Sequence, residues 1–141
     1  IISISDDSGL CVNCLNGKPG IHSARFAKKY GGFNKAMRHL IELIDKKNKN
    51  NKIKNNKAVF VCSLTLKYPG KKSISVEGKI YGHITNKIVG KNGFGYDPIF
   101  IPNKKKLTFG QMKKKDKIKI DHRFVAFNKL KKKLKLYKLS L

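Results

Sequence analysis

The stretch that most constrains the fold lies between positions 58 and 84. Ala58, Phe60, Cys62, Leu64 and Leu66 alternate with Val59, Val61, Ser63 and Thr65. Pro69-Gly70 follows, and Ile74, Val76, Ile80 and Ile84 alternate on the way back. A period of two places every second side chain on one face, so the segment predicts a long antiparallel hairpin with an apolar side. Gly78 and Gly82 inside the return strand predict a bend or a close approach of another backbone. Glu77, isolated among lysines, reads as a cross-strand charge partner rather than a catalyst.

The cover for such a sheet is legible nearby. Phe33, Ala36, Met37, Leu40, Ile41 and Ile44 recur at helical spacing after the break Gly31-Gly32, with Asn34 as the expected cap. The helix is expected to dissolve into a solvated, mobile loop over residues 46–57, rich in Lys and Asn. Upstream, residues 1–5 read as a strand, Asp6-Asp7-Ser8-Gly9 as a sharp turn, and Leu10 to Leu15 as a second short strand closed by Asn16-Gly17. Downstream, Ile99-Phe100-Ile101 reads as a strand and Thr108-Phe109-Gly110-Gln111 as the capping box of a short helix. Asp121 is the expected N-cap of a final helix with a stripe of Phe124, Phe127, Leu130, Leu134 and Tyr137. Strands and helices together predict an α/β domain.

Length and composition set outer bounds. A chain of 141 residues, 40% hydrophobic, suits one domain with a real core. Its apolar runs are too short to span a bilayer. The net charge of +25 invites a nucleic-acid reading, but the lysines are spread along the chain and only Arg25, Arg38 and Arg123 are arginine. Lys, Asn and Ile share A/T-rich codons, which accounts for much of the basicity without a partner. Weak attraction to polyanions follows; specific nucleic-acid recognition does not. Cys11 and Cys14 have zinc or redox spacing, but no second pair completes a site.

Three stretches are chemically unusual. Asp6 and Asp7 stand side by side among only eight acidic residues, a repulsive pair that needs a cation or a hydrogen-bond network to offset it. The alternatives are a Mg²⁺–phosphate site at a strand end and a plain Asx-turn. Gly90 to Pro98 surrounds Phe94, Tyr96 and Asp97 with glycines, a composition suited to clamping a nucleobase, although it matches no standard phosphate loop. His122-Arg123 falls in the first turn of the final helix, where cations are disfavoured unless an anionic or polar ligand approaches. Arg25 is either a planar fork for a ligand or half of a surface salt bridge.

In order, Ser5-Asp6-Asp7-Ser8-Gly9-Leu10, Pro19-Gly20-Ile21-His22-Ser23-Ala24-Arg25, Gly93-Phe94-Gly95-Tyr96-Asp97-Pro98-Ile99-Phe100 and Lys117…His122-Arg123 resemble the inosine/xanthosine triphosphate pyrophosphatase family. The resemblance implies an elongated central mixed β-sheet with flanking helices and two lobes around a nucleotide cleft. It also implies a homodimer; the cytoplasm is the expected compartment, and no specific nucleic-acid or membrane partner is expected. The implied activity is Mg²⁺-dependent hydrolysis of ITP, dITP or XTP to the monophosphate and pyrophosphate. Asp7 matches the proton acceptor and metal ligand. Ser8, Phe94, Gly95, Tyr96, Asp97, Lys117, His122 and Arg123 match substrate-contacting positions.

Two departures accompany the match. The family's opening strand, its phosphate loop of the form Ser/Thr-x-Asn-x-x-Lys and a further acidic metal ligand are not among these residues, so residues 1–141 read as one domain incomplete at its N-terminus. Asp121 stands where the family usually has Ser, adding a negative charge near the base pocket. The competing readings are a basic polyanion-binding domain and a truncated remnant that no longer turns over.

Overall fold

The hairpin forms as its alternation requires. In the computed structural model, which describes residues 1–139, β3 (Lys57–Lys67) and β4 (Ile74–Ile84) pair antiparallel in a register running from Leu66↔Ile74 to Lys57↔His83. β1 (Ser3–Val12) lies along the other side of β3, and the short β2 (Pro19–Gly20) and β5 (Phe100–Pro102) complete the order β2-β1-β3-β4-β5. All pairings among the described residues are antiparallel, so the parallel member of the mixed sheet implied by the resemblance is not among them.

The expected turn at Asp6-Asp7-Ser8-Gly9 does not form. β1 runs straight through it because each residue meets a partner on β3: Asp6↔Leu64, Asp7↔Ser63, Ser8↔Cys62 and Gly9↔Val61. A long partner strand offers ladder hydrogen bonds that outweigh the local turn preference of Ser-Gly. The two short strands expected on either side are therefore one. The turn comes later, as a 3-10 segment at Asn13–Leu15 that ends with Asn16 in the left-handed region at φ 56°.

The even-numbered side chains of β3 are all buried on one face, and two helical layers share it. α2 (Phe33–Asn48) lays Ala36, Met37, Leu40, Ile41 and Ile44 against Leu10, Val12, Phe60 and Phe100. Gly32, at φ 120°, stands at its N-cap, and Asn34 lies within the first turn and does not cap it. Residues 49–54 are exposed, as expected of a solvated loop, and the far end of the loop is tied back to the end of α2. Asn48 is buried; its Oδ1 accepts from the Asn55 N–H at 3.0 Å and its Nδ2 donates to the Asn55 carbonyl at 2.9 Å. Reciprocal Thr108–Gln111 bonds form as the capping box predicts, but they close a turn, and the short helix α3 begins later, at Lys114–Lys117.

α4 (His122–Leu136) covers the other half of the face, packing Ala126, Leu130 and Leu134 on Cys62, Leu64, Leu66 and Val76. Its buried line is His122-Ala126-Leu130-Leu134, while Phe124, Phe127 and Tyr137 of the expected stripe are exposed. Gly78 decides this rotation. A Cβ there would strike the backbone of Ala126 and the carbonyl of His122, so α4 is seated directly on the strand. Gly82 is likewise overlain by the Ile101 backbone, and both glycines answer to the close approach expected of them. Two hydrophobic clusters thus stand side by side on one sheet face. No helix among the described residues is long and apolar enough to cross a membrane.

Candidate functional site

A cavity lies beside the first cluster at the start of α4, and the unusual stretches meet there. Ser8, Phe94, Gly95, Tyr96, Asp97, Lys117, His122 and Arg123 all line it, over a floor that includes Leu10, Phe33 and Phe60. β1 supplies Ser8, the loop before β5 supplies residues 94–97, and α3 and α4 supply the three basic groups.

The loop is shaped around one carboxylate. Asp97 is buried, and its Oδ2 accepts from the Phe94 backbone N–H at 2.7 Å and from Lys117 Nζ at 2.9 Å. Gly93, at φ +77°, passes so close that a Cβ would collide with that carboxylate. This tight wrap leaves Phe94 with 67% of its surface exposed, at the edge of Phe33, 5.4 Å between ring centroids. Tyr96 points the other way. It is buried and its hydroxyl donates to the Ser23 carbonyl at 2.7 Å, so it anchors the loop to α1 (Ser23–Lys29) and offers no free ring face. Burial pushes its phenol up to about 12. Burial also raises the Asp97 carboxyl above its usual range, with Lys117 and the Phe94 N–H acting against it.

Lys117 is enclosed with two acids: Asp97, and Asp121 at 3.8 Å. Asp121 has a second task, accepting the Phe124 N–H at 2.9 Å as the N-cap of α4, as its sequence position predicts. His122 is buried and stacks on Phe60, with 4.9 Å between centroids and 13° between planes. Burial drives its pKa down to about 4 against the pull of Asp121, so the imidazole is neutral. Its Nδ1 is buried with no hydrogen-bond partner among the described residues. A buried polar atom is rarely left so, and a ligand at the cavity is a natural partner. Arg123 Nε donates to Asp6 Oδ2 at 2.8 Å, and Asp6 Oδ1 accepts from Ser8 Oγ at 2.9 Å.

Asp7 is not among the cavity's lining residues. Successive strand residues face opposite sides, so Asp6 and Ser8 turn toward α4 while Asp7 stands exposed on the outer face, in a shallow depression with Ser63, Glu77 and Lys79. Ser8 and Gly9 border both the depression and the cavity, which places Asp7 just across the strand from the pocket. Asp6 and Asp7 therefore cannot close on one cation as a pair. Among the described residues no group of three His, Cys, Asp or Glu is arranged to hold a metal. Asp7 alone still suits Mg²⁺, which commonly takes one or two carboxylates and completes its shell with water and phosphate oxygens. Cys11 and Cys14, on β1 and in the following 3-10 turn, are free thiols.

Phe33 and Phe60 line the cavity but carry no sequence signal of it, and Ser23 lines it without having been singled out as a site residue. Ser23 Oγ accepts from the Leu10 N–H at 2.9 Å and donates to the Gly20 carbonyl at 2.6 Å, which fixes the start of α1 to β1. Its place within the Pro19-to-Arg25 motif was the available hint. Arg25 lies outside the cavity and makes no salt bridge among the described residues. Glu77 pairs with Lys79 on its own strand at 4.0 Å and accepts from Ser63 Oγ across the ladder at 3.5 Å.

The comparison with known families is decisive on kinship. The model of the Ham1 family matches residues 1–133. The chain belongs to the Ham1 family. It is 42% identical over 134 residues to the dITP/XTP pyrophosphatase of Clostridium tetani, covering 95% of this chain and 64% of that protein. It is 40% identical to the dITP/XTP pyrophosphatase of Bacillus subtilis, covering 92% of this chain and 63% of that one. The chain thus spans less than two thirds of the curated relatives it matches. Among solved structures, the Ham1 protein of Staphylococcus aureus superposes with a TM-score of 0.77 at 40% identity, over 95% of this chain and 67% of that one. A Ham1 protein from Coxiella burnetii superposes with a TM-score of 0.84 at 29% identity, over 96% and 68%. The kinship and the α/β fold inferred from the four motifs agree with these Ham1 relatives.

Proposed function

We propose that this chain carries the nucleotide cleft of a nucleoside-triphosphate pyrophosphatase that hydrolyses ITP, dITP or XTP to the monophosphate and pyrophosphate. The observation that carries the reading is a cavity combining an exposed aromatic, Phe94, with Lys117, Arg123 and the unpartnered Nδ1 of a buried neutral His122. The names of the Ham1 relatives support the substrate class.

In this reading Phe94 stacks on the purine. Lys117 and Arg123 have only donors to offer, and a 6-oxo group accepts from them where the 6-amino group of adenine meets donor against donor. Ser8 and Gly9, bordering both cavity and depression, guide the phosphates past the strand toward Asp7. Asp7, exposed to solvent, takes the proton of the water that attacks the α-phosphorus. Mg²⁺ held at Asp7 and on the phosphate oxygens would neutralise charge on the triphosphate. Asp97 and Tyr96 act from behind, holding Lys117 and Phe94 in place. We further propose a cytoplasmic homodimer, the assembly that the resemblance implies in the expected compartment.

The test is release of pyrophosphate from ITP, XTP and ATP, with and without Mg²⁺. The expected result is Mg²⁺-dependent release from ITP and XTP well above ATP, lost in Asp7→Asn with folding retained. Equal rates on ATP would sink the reading. Salt-sensitive binding to arbitrary DNA, indifferent to Asp7→Asn and with no pyrophosphate release, would select the basic polyanion-binding alternative.

A further inference from the structure

We propose that Asp6 is a positioning residue that aims the Arg123 guanidinium at the bound nucleotide; the proposal deepens the reading above and rests on it. The feature is a single carboxylate divided between two cavity-lining groups. Its Oδ2 takes Arg123 Nε at 2.8 Å, from a helix 117 residues further along the chain. Its Oδ1 takes Ser8 Oγ at 2.9 Å, and Cys62 Sγ lies 3.5 Å from the same oxygen.

Arg123 needs such a restraint. It sits in the first turn of α4, where the helix dipole repels a cation, and Lys117 is a second cation lining the same cavity. Without an acid at hand, a long guanidinium there would swing out to solvent. Asp6 engages Nε, the nitrogen nearest the stem, and the terminal NH₂ groups make no hydrogen bond among the described residues. A guanidinium carries five N–H donors in a rigid plane, so fixing one at Nε orients the remaining four. The pair stays charged. Burial raises the Asp6 carboxyl, but the bonds from Arg123 and Ser8 outweigh it and leave it below its ordinary range. Arg123 is raised, its contact with Asp6 overcoming the opposite effect of burial.

The alternative is a plain surface ion pair, since the side chains of Arg123 and Asp6 are 44% and 40% exposed. Exposure at that level makes the pair a weak contributor to stability. Its value then lies in geometry, and the two ideas separate on measurement. Asp7, the neighbouring acid, faces the other side of the strand and cannot substitute.

The experiment compares the full chain with Asp6→Ala, Asp6→Glu, Arg123→Ala and the Asp6→Ala/Arg123→Ala double variant. It reads kcat and KM for ITP and ATP at saturating Mg²⁺, the melting temperature, and solvent exchange of the Arg123 Nε proton by NMR. Asp6→Ala is expected to raise KM for ITP at least tenfold with a smaller change in kcat, to erode preference over ATP, and to leave the melting temperature nearly unchanged. Asp6→Glu should recover part of the loss, and the double variant should be no worse than Arg123→Ala alone. Additive losses in the double variant, or an unchanged KM, would overturn the inference. So would a kcat loss restored by extra Mg²⁺, which would make Asp6 a metal ligand. The NMR arm stands apart from activity. If the wild-type chain shows no preference for ITP, the proposed function fails, whereas a wild-type Arg123 Nε proton as freely exchanging as in Asp6→Ala overturns the positioning role whatever the activity.

Discussion

Lys117 Nζ stands 2.9 Å from Asp97 Oδ2, with both side chains almost wholly enclosed. The same oxygen receives the Phe94 N–H, so one buried carboxylate holds a cation of the cavity and the backbone of its exposed aromatic. Removing one member of a buried pair leaves the other charge uncompensated, which commonly costs about 3–5 kcal/mol. Asp97→Asn is therefore expected to destabilise the chain by about 3 kcal/mol, toward the lower end because Asp121 remains 3.8 Å from Lys117. Denaturant unfolding measures it; a change below about 1 kcal/mol would show that the pair does not organise the loop.

His122 gives a pH dependence with a definite sign. Its folded pKa is depressed by burial to about 4 from an ordinary 6.5, so between those values the unfolded chain binds the proton more readily than the folded one. Stability should therefore fall as pH drops from 6.5 toward 4, with this group contributing at most about 3 kcal/mol. Carboxylates also titrate there, so the quantity to compare is the slope in wild type against His122→Gln. The variant should be flatter; parallel slopes would mean that His122 is not held neutral by burial.

Phe94 separates binding from folding. Phe94 is 67% exposed, so Phe94→Ala should leave the melting temperature within a few degrees of wild type. Stacking of a base on an aromatic ring is worth about 1–3 kcal/mol, so affinity for ITP should fall by about 5- to 150-fold. Titration calorimetry reads this directly, and unchanged affinity would remove Phe94 from the proposed site.

Gly78 tests how α4 is seated. A Cβ at this position meets backbone atoms of His122 and Ala126, which cannot swing aside as a side-chain end would. Gly78→Ala should lower stability by about 1–3 kcal/mol and weaken ITP binding as well, because the displaced segment carries His122 and Arg123. Gly70→Ala, with nothing near its Cβ but φ +70°, is the control for backbone strain alone; it should lower stability and leave ITP affinity unchanged.

Much of this architecture is written locally. The hairpin over β3 and β4, the apolar stripe of α2, the Asp121 cap and the close approaches at Gly78 and Gly82 all follow from periodicity, capping chemistry and the missing Cβ of glycine. Kinship is equally legible in the four motifs, which mark Ser8, Phe94 to Asp97, Lys117, His122 and Arg123 by residue type and spacing alone. How those residues are oriented depends on contacts between distant parts of the chain. Asp6 and Asp7 look alike in sequence, but pairing with β3 straightens the expected turn and turns them to opposite faces, one to Arg123 and one to solvent. Tyr96 and Phe94 look like a matched pair of rings, but the Ser23 carbonyl takes one inward and the Asp97 carboxylate holds the backbone that leaves the other outside. The α4 stripe rotated because Gly78 admits the helix backbone itself. Turn and helix preferences act over a few residues at about 1 kcal/mol or less each, whereas the ladder of β1 on β3 and the seating of α4 on the sheet gather many contacts from distant parts of the chain.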